Sequence, residues 1–203
     1  MKKILIHILL VTSFIINVNN GFSFNRWFKV SPGIRIAGIA VDMDSRVPDN
    51  YTTTRFDYGG GINFDIQLEK HLGLDFELLY IRKGAAVSSP GSQINLEYLS
   101  IPMLMKFWIS RKQLAAVFGP VHNILIGSSG TLYDPNVKLS SSNTNFYDLG
   151  LGFGINYVLY TFKNGMRLMG DFRFEIGLMN VYKEFRPELF NRTTPYLAFG
   201  LNF

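Results

Sequence analysis

The sequence predicts an all-β fold: an eight-stranded antiparallel up-and-down transmembrane β-barrel behind an N-terminal signal peptide. Three observations carry this expectation. Strand-length stretches place an apolar or aromatic residue at every second position, with Gly, Asn or charge between them. The connections between these stretches are alternately very short and long, and the chain opens with a basic start and a short apolar run. Residues 146–162, FYDLGLGFGINYVLYTF, form the clearest stretch. Tyr147, Leu149, Leu151, Phe153, Ile155, Tyr157 and Leu159 share one face, and Asp148, Gly150, Gly152, Gly154 and Asn156 share the other, because side chains alternate along a strand. A soluble β-protein turns its apolar face into a core. Here the apolar run is capped by tyrosines and the charge lies opposite, which is the pattern of a strand whose greasy side meets lipid.

Lys2 and Lys3 precede the apolar run of residues 4–16, which polar NVNNG and FSFN follow. That order reads as a secretory signal, since so short a run does not span a bilayer as a helix. No A-x-A pattern is present, so the cut is placed between Asn19 and Asn25, giving a signal peptide at 1–24 and one barrel domain at 25–203. No linker or low-complexity tract marks a second domain, and SSSNTN at 140–145 reads as a loop tip. Every later hydrophobic stretch is broken by charge or glycine, so a membrane crossing falls to strands. The absence of cysteine excludes a disulfide framework and thiolate metal sites. A net charge of +5 falls by two when Lys2 and Lys3 leave, and the remaining Lys and Arg are dispersed; no nucleic-acid partner is expected.

Strands are expected at 27–41, 55–69, 72–84, 94–110, 114–128, 146–162, 166–178 and 193–203. The first sets Arg35 on its polar side. In the second, Ile62, Phe64, Ile66 and Leu68 alternate with Asn63, Asp65, Gln67 and Glu69; in the third, Leu74, Phe76, Leu78 and Tyr80 oppose Asp75 and Glu77. The fourth sets Leu99, Ile101, Met103, Met105, Phe107 and Ile109 against Ser100 and Lys106. The fifth, around FGPVHNILIG, is ambiguous: Pro120 lacks a ladder donor, and a bulge that switches the register is placed there. In the sixth, the stretch from Tyr147 to Tyr157 spans roughly 23 Å when tilted near 45°, the height of a lipid-facing apolar band. Its tyrosines then mark the two interfaces, joined by Trp27 and Tyr80, and by Trp108 if that side chain faces outward, which the sequence leaves open. The seventh turns Leu168, Phe172, Phe174, Ile176 and Leu178 outward and Arg167, Asp171, Arg173 and Glu175 inward. The eighth, TPYLAFGLNF, aligns Phe199, Leu201 and Phe203 on one face.

The connections after the second, fourth and sixth strands are tight, at residues 70–72, 111–113 and 163–165, the last supplying an Asn-Gly dipeptide. Those after the odd-numbered strands are long and polar, as in DMDSRVPDNYTTT and SGTLYDPNVKLSSSNTN. Barrels of the outer membrane have tight periplasmic turns and long outward loops. The expected location is therefore the outer membrane, with both chain ends periplasmic.

Eight strands enclose a lumen just wide enough for side chains, not an open channel. The inward set of Arg35, Asp65, Glu69, Asp75, Glu77, Lys106, Arg167, Asp171, Arg173 and Glu175 mixes acids and bases almost evenly. Packed away from lipid and water, such charges must pair, so a structural salt-bridge network is expected. No catalytic, cofactor or metal site is expected. Only His71 and His122 lie beyond the signal, without ligand spacing, and Ser128 and Ser129 near His122 form no nucleophile motif. DYGGGIN and GLGFG lack the strand-to-helix setting of a phosphate loop.

The stretches LEYLSIPMLMKFWI at 96–109, FGPVHNILIG at 118–127 and YDLGLGFGINY at 147–157, with an aromatic last residue, resemble the small outer-membrane β-barrel proteins of Bacteroidetes, the porin-family or PorT-like group. The resemblance implies an eight-stranded barrel inserted by the outer-membrane assembly machinery, with one branch linked to secretion and gliding. The last strand resembles the assembly signal of such proteins, although Ala198 stands where glycine is common. The expected partners are outer-membrane lipid, the assembly machinery, and secretion or surface proteins met by the loops, where Tyr51, Tyr133, Tyr182, Phe185 and Phe190 lie; the chain is expected to be a monomer and not an enzyme. Three other readings stand beside a structural or interaction barrel: a PorT-like accessory factor, a lipid-modifying enzyme using His122, and a soluble lipocalin-like binder with an apolar interior.

Overall fold

A computed structural model describes residues 29–41, 43–45, 52–87, 93–110, 113–131, 138–139, 144–181, 183, 189–191 and 194–203. The expected signal peptide and cleavage site, Trp27, Tyr51, Tyr133, Tyr182, Phe185 and the Phe190 side chain lie outside the described residues. Eight long strands follow one another: β1 (Lys29–Val41), β2 (Arg55–Gln67), β3 (Leu72–Val87), β4 (Gln93–Ser110), β5 (Leu114–Thr131), β6 (Tyr147–Thr161), β7 (Arg167–Gly177) and β8 (Thr194–Asn202). Each is antiparallel to its neighbours in sequence. The eighth pairs with the first, setting Arg35 opposite Gly200 and Ile39 opposite Tyr196, which closes the sheet into a barrel. Closure satisfies the backbone groups that a lipid-facing edge would leave bare. No helix among the described residues is long and apolar enough to cross a membrane.

The turns obey the expected asymmetry except between β3 and β4, where the strands run to Val87 and from Gln93 and residues 88–92 connect them, as few as the 162–166 that join β6 and β7. Between β2 and β3 the chain reverses over residues 68–71, with Leu68 and Glu69 N–H groups donating to the Leu72 carbonyl at 3.0 and 2.9 Å. Between β6 and β7, Gly165 takes φ of 90°, a left-handed conformation that glycine adopts without strain. The Phe162 N–H donates to the Met166 carbonyl at 2.8 Å to close that hairpin. At the opposite end the long connections carry short ribbons: Met43–Ser45 pairs with Leu189–Asn191, Thr52–Thr53 with Val87 and Ala86 of β3, and Lys138–Leu139 with Thr131 and Gly130 of β5.

The outside is the hydrophobic surface. Ile34, Ile36, Phe56, Phe107, Ile109, Phe118, Ile155, Phe172, Leu197 and Phe199 are all exposed, Phe56 to 83%. At outward positions of the described strands, Arg82 and Glu97 are the charged residues, both toward the end that bears the long loops. Burying so large an apolar belt in water-excluding lipid is favourable, whereas leaving it in water is not. The lipocalin reading, which needs this belt inside, is thereby ruled out.

The fifth strand corrects the expectation at Pro120. Alternation passes unbroken through this residue, which faces outward and stands opposite Leu151 of β6. A gap in the β4–β5 register, between Pro102–Val121 and Met105–Phe118, falls at the proline that has no N–H to give. The register shift lies further along, where Tyr98 pairs with Leu125 and Glu97 with Gly127, leaving Ile126 as the extra residue.

Glycines admit close backbone approach at β2. A Cβ at Gly61 would collide with the Leu78 carbonyl and lie 2.9 Å from the Leu79 Cα, whereas one at Gly38 on the lipid side meets nothing within 4 Å. Gly61→Val is expected to destabilise the barrel by about 1–3 kcal/mol through overpacking, and Gly38→Ala to leave it unchanged, read as urea midpoints and as heat-modifiable migration on a gel.

Candidate functional site: the barrel lumen

Strand alternation delivers a layered interior. In the middle, β1 contributes Arg35, β3 contributes Asp75 and Glu77, and β7 contributes Asp171 and Arg173, none more than 5% exposed. Arg35 Nη1 lies 3.2 Å from Asp75 Oδ2 and 3.0 Å from Asp171 Oδ2, and also pairs with Glu77. Arg173 Nη2 lies 2.7 Å from Glu77 Oε1, 3.1 Å from Asp171 Oδ1 and 3.2 Å from Asp75 Oδ2. Strands β3 and β7 are not neighbours in the sheet, so these bonds cross the lumen. Each carboxylate is shared by two guanidiniums, the arrangement that offsets the several kcal/mol lost when a charge leaves water.

Toward the tight turns, Asp65 Oδ2 accepts from Lys106 Nζ at 3.0 Å and Arg167 Nη2 at 3.3 Å. Lys106 Nζ also stands 4.4 Å from the Trp108 ring centroid, a cation–π contact. Below this layer a cavity of about 590 Å³ opens at the mouth, lined in part by Lys29, Gln67, Trp108, Gln113 and Arg167.

Toward the long loops the interior changes character. Ala37, Ile39, Val41, Leu79, Ile81, Tyr196 and Ala198 form an apolar cluster, whereas Leu104, Val117 and Val121 cluster lower, where Leu104 pairs with Asp75 and Val117 with Lys106 across the sheet. Lys83 Nζ bonds Glu175 Oε1 at 2.5 Å, which also accepts from Asn123 Nδ2 at 2.9 Å. Higher still, Arg55 grips Asp57 through two nitrogens at 2.7 and 3.1 Å and donates to Asn95 Oδ1 at 2.6 Å.

A lipid-facing apolar belt around a lumen of paired charge, closed by β8 on β1, is the geometry of a membrane-spanning barrel. Residues 13–183 match the family described as outer membrane protein beta-barrel domain. This chain belongs to that family. The protein is thus an outer-membrane barrel. It is similar in fold to Neisserial surface protein A, with a TM-score of 0.52 and 13% identity over 86% of this chain and 97% of the other. It is similar also to a major outer membrane protein of Thermus thermophilus, with a TM-score of 0.51 and 12% identity over 86% of this chain and 99% of the other. No curated protein matches the sequence.

Of the charges expected inside this outer-membrane barrel, Arg35, Asp65, Asp75, Glu77, Lys106, Arg167, Asp171, Arg173 and Glu175 are brought into ion pairs. Glu69 is not: β2 ends at Gln67, and Glu69 is exposed on the turn that follows. Trp108, whose facing the sequence leaves open, lies inward and 6% exposed, because it shares the parity of Lys106. Tyr80, Tyr147 and Tyr157 do face outward, as do Phe199, Leu201 and Phe203 along the β8 face. His122 faces outward with its Nδ1 2.7 Å from Tyr147 Oη, and His71 Nδ1 is 3.4 Å from the Trp108 carbonyl oxygen. No metal-binding group of His, Asp, Glu or Cys occurs among the described residues. Lys83, Arg55 and the apolar half of the lumen escaped the sequence reading. Their signal was the loss of alternation in IAGIAV and LLYI, where both faces are apolar.

Arg173→Ala strands three carboxylates on Arg35, so a loss of roughly 3–5 kcal/mol is expected, measured as the shift in urea midpoint of the barrel in detergent. Arg82→Ala, on the outer surface, is expected to leave the midpoint almost unmoved.

Proposed function

We propose that this outer-membrane barrel has a structural or interaction role, that its lumen does not conduct, and that it is not an enzyme. The observation that carries this reading is the set of bonds from Arg35 and Arg173 to Asp75 and Glu77 across the middle of the lumen. Above them a cavity of about 20 Å³ lies between Leu79, Ile81, Leu104, Val121 and Tyr196, the volume of about one water. An ion would have to break paired buried charges and then cross an apolar layer. Lipid surrounds the belt, and the paired ribbons in the long connections offer a surface for partners outside the cell. Phe199, Leu201 and Phe203 line the outward face of β8, where the assembly machinery would meet them in a monomeric barrel exported by a signal peptide at 1–24. The hydrogen bond of His122 to Tyr147 favours a structural role for that histidine over lipid hydrolysis.

A narrower form of this reading, a PorT-like accessory to secretion or gliding, is supported by the resemblance of residues 96–109, 118–127 and 147–157 to that group. Deletion of the gene is expected to impair secretion of cargo proteins; normal secretion would leave the structural role alone.

Reconstituted into a planar bilayer, the purified barrel is expected to give no stable ohmic conductance steps. Regular steps that persist in the wild type would overturn the closed lumen.

A further inference from the structure

The cavity at the mouth that bears the tight turns faces the periplasm and is built from five different strands and two turn regions. At about 590 Å³ it lies within the size range of small-molecule sites. Its lining is rich in donors. Lys29 brings an ammonium, Arg167 a guanidinium whose side chain is 23% exposed, and Gln67 and Gln113 bring amides. Trp108 is 6% exposed, and its buried indole Nε1–H has no acceptor among the described residues.

The carboxylate of the described lining is already paired: Asp65 takes Lys106 and Arg167 on one oxygen. Lys29 and Arg167 outweigh it, and the described lining carries an excess of positive charge. Val158, 7% exposed, gives the wall an apolar stretch. We propose that this vestibule binds a small organic anion of the periplasm that presents a carboxylate. A planar carboxylate matches the fork of Arg167, and its low charge is tolerated beside Asp65, where a doubly charged phosphate meets more repulsion. The site stands whether or not the lumen above it conducts.

Of the two tryptophans, Trp27→Phe leaves only Trp108 to report by fluorescence. The processed chain carrying this change, purified in detergent, is titrated with glutarate, with glutaramide as the neutral analogue of the same shape, and with inorganic phosphate. Glutarate is expected to give a saturable change that weakens with added salt, with glutaramide at least about tenfold weaker. Adding Arg167→Gln is expected to weaken glutarate binding about tenfold. Lys29→Gln, an exposed change at the end of β1, is the second variant if the first fails to give a heat-modifiable barrel, and is expected to weaken binding severalfold. No saturable change, an equal response to glutaramide, or full affinity in the charge variant overturns the site. Tighter binding of phosphate than of glutarate overturns the assignment to a carboxylate.

Discussion

The structure depends on one constraint: in hydrocarbon, a backbone N–H or C=O has no partner but another strand. The pairing of β8 with β1, from Gly33–Asn202 to Ile39–Tyr196, is what meets it. Without that seam, two edges would face lipid. With it, every long strand has two neighbours, and the chain can spend its side chains on the two environments that the closed wall separates. The short ribbons at the ends of the long connections obey the same rule less strictly, since water is available to them.

Once the wall is closed, inside and outside exchange their usual compositions. Arg35, Asp75, Glu77, Asp171 and Arg173 are buried while Phe56, Ile36 and Phe199 are exposed. The two facts lock each other in place. Slipping β1 by one residue would carry Arg35 into lipid, where a cation near the midplane costs about 2–4 kcal/mol, and would strand the carboxylates it holds. The buried ion cluster is a poor source of net stability on its own, but it discriminates strongly between the correct register and its nearest competitor. Charge in the lumen therefore specifies the barrel, and the apolar belt drives it into the membrane.

The lumen is graded along its axis. Paired charge occupies the middle, an apolar cluster with the Lys83–Glu175 and Arg55–Asp57 pairs fills the side toward the long loops, and the periplasmic mouth opens as a vestibule beside Trp108, Ala115, Val158 and Met169. A gradient of this kind separates roles within one small domain. The middle holds register, the loop-side cluster packs like the core of a soluble barrel, and the vestibule presents the partly exposed Arg167 to the mouth. Ribbons built from Met43–Ser45 and Leu189–Asn191 hold the opposite rim in shape, where outside partners would meet it.

The sequence by itself determined the strand count, the alternation of tight and long turns except between β3 and β4, the outward belt and most of the inward charges, because a period of two is set locally by the backbone pleat. It misplaced what local periodicity does not encode. Glu69 continues the parity of β2, yet the strand stops at Gln67. Pro120 is a plausible bulge, yet the extra residue is Ile126, since the shift depends on how Glu97 and Tyr98 of the facing strand are met. Trp108, whose facing the sequence leaves open, is sent inward over Lys106 by the β4 parity. Only the tertiary structure decided which charges pair, because Arg35 and Glu77 are 42 residues apart and Arg173 and Glu77 are 96. It also decided that the upper lumen sets an apolar cluster beside the Lys83–Glu175 and Arg55–Asp57 pairs. Where both faces of a strand are hydrophobic, the side facing lipid is fixed by the closed barrel rather than by the order of residues in the chain.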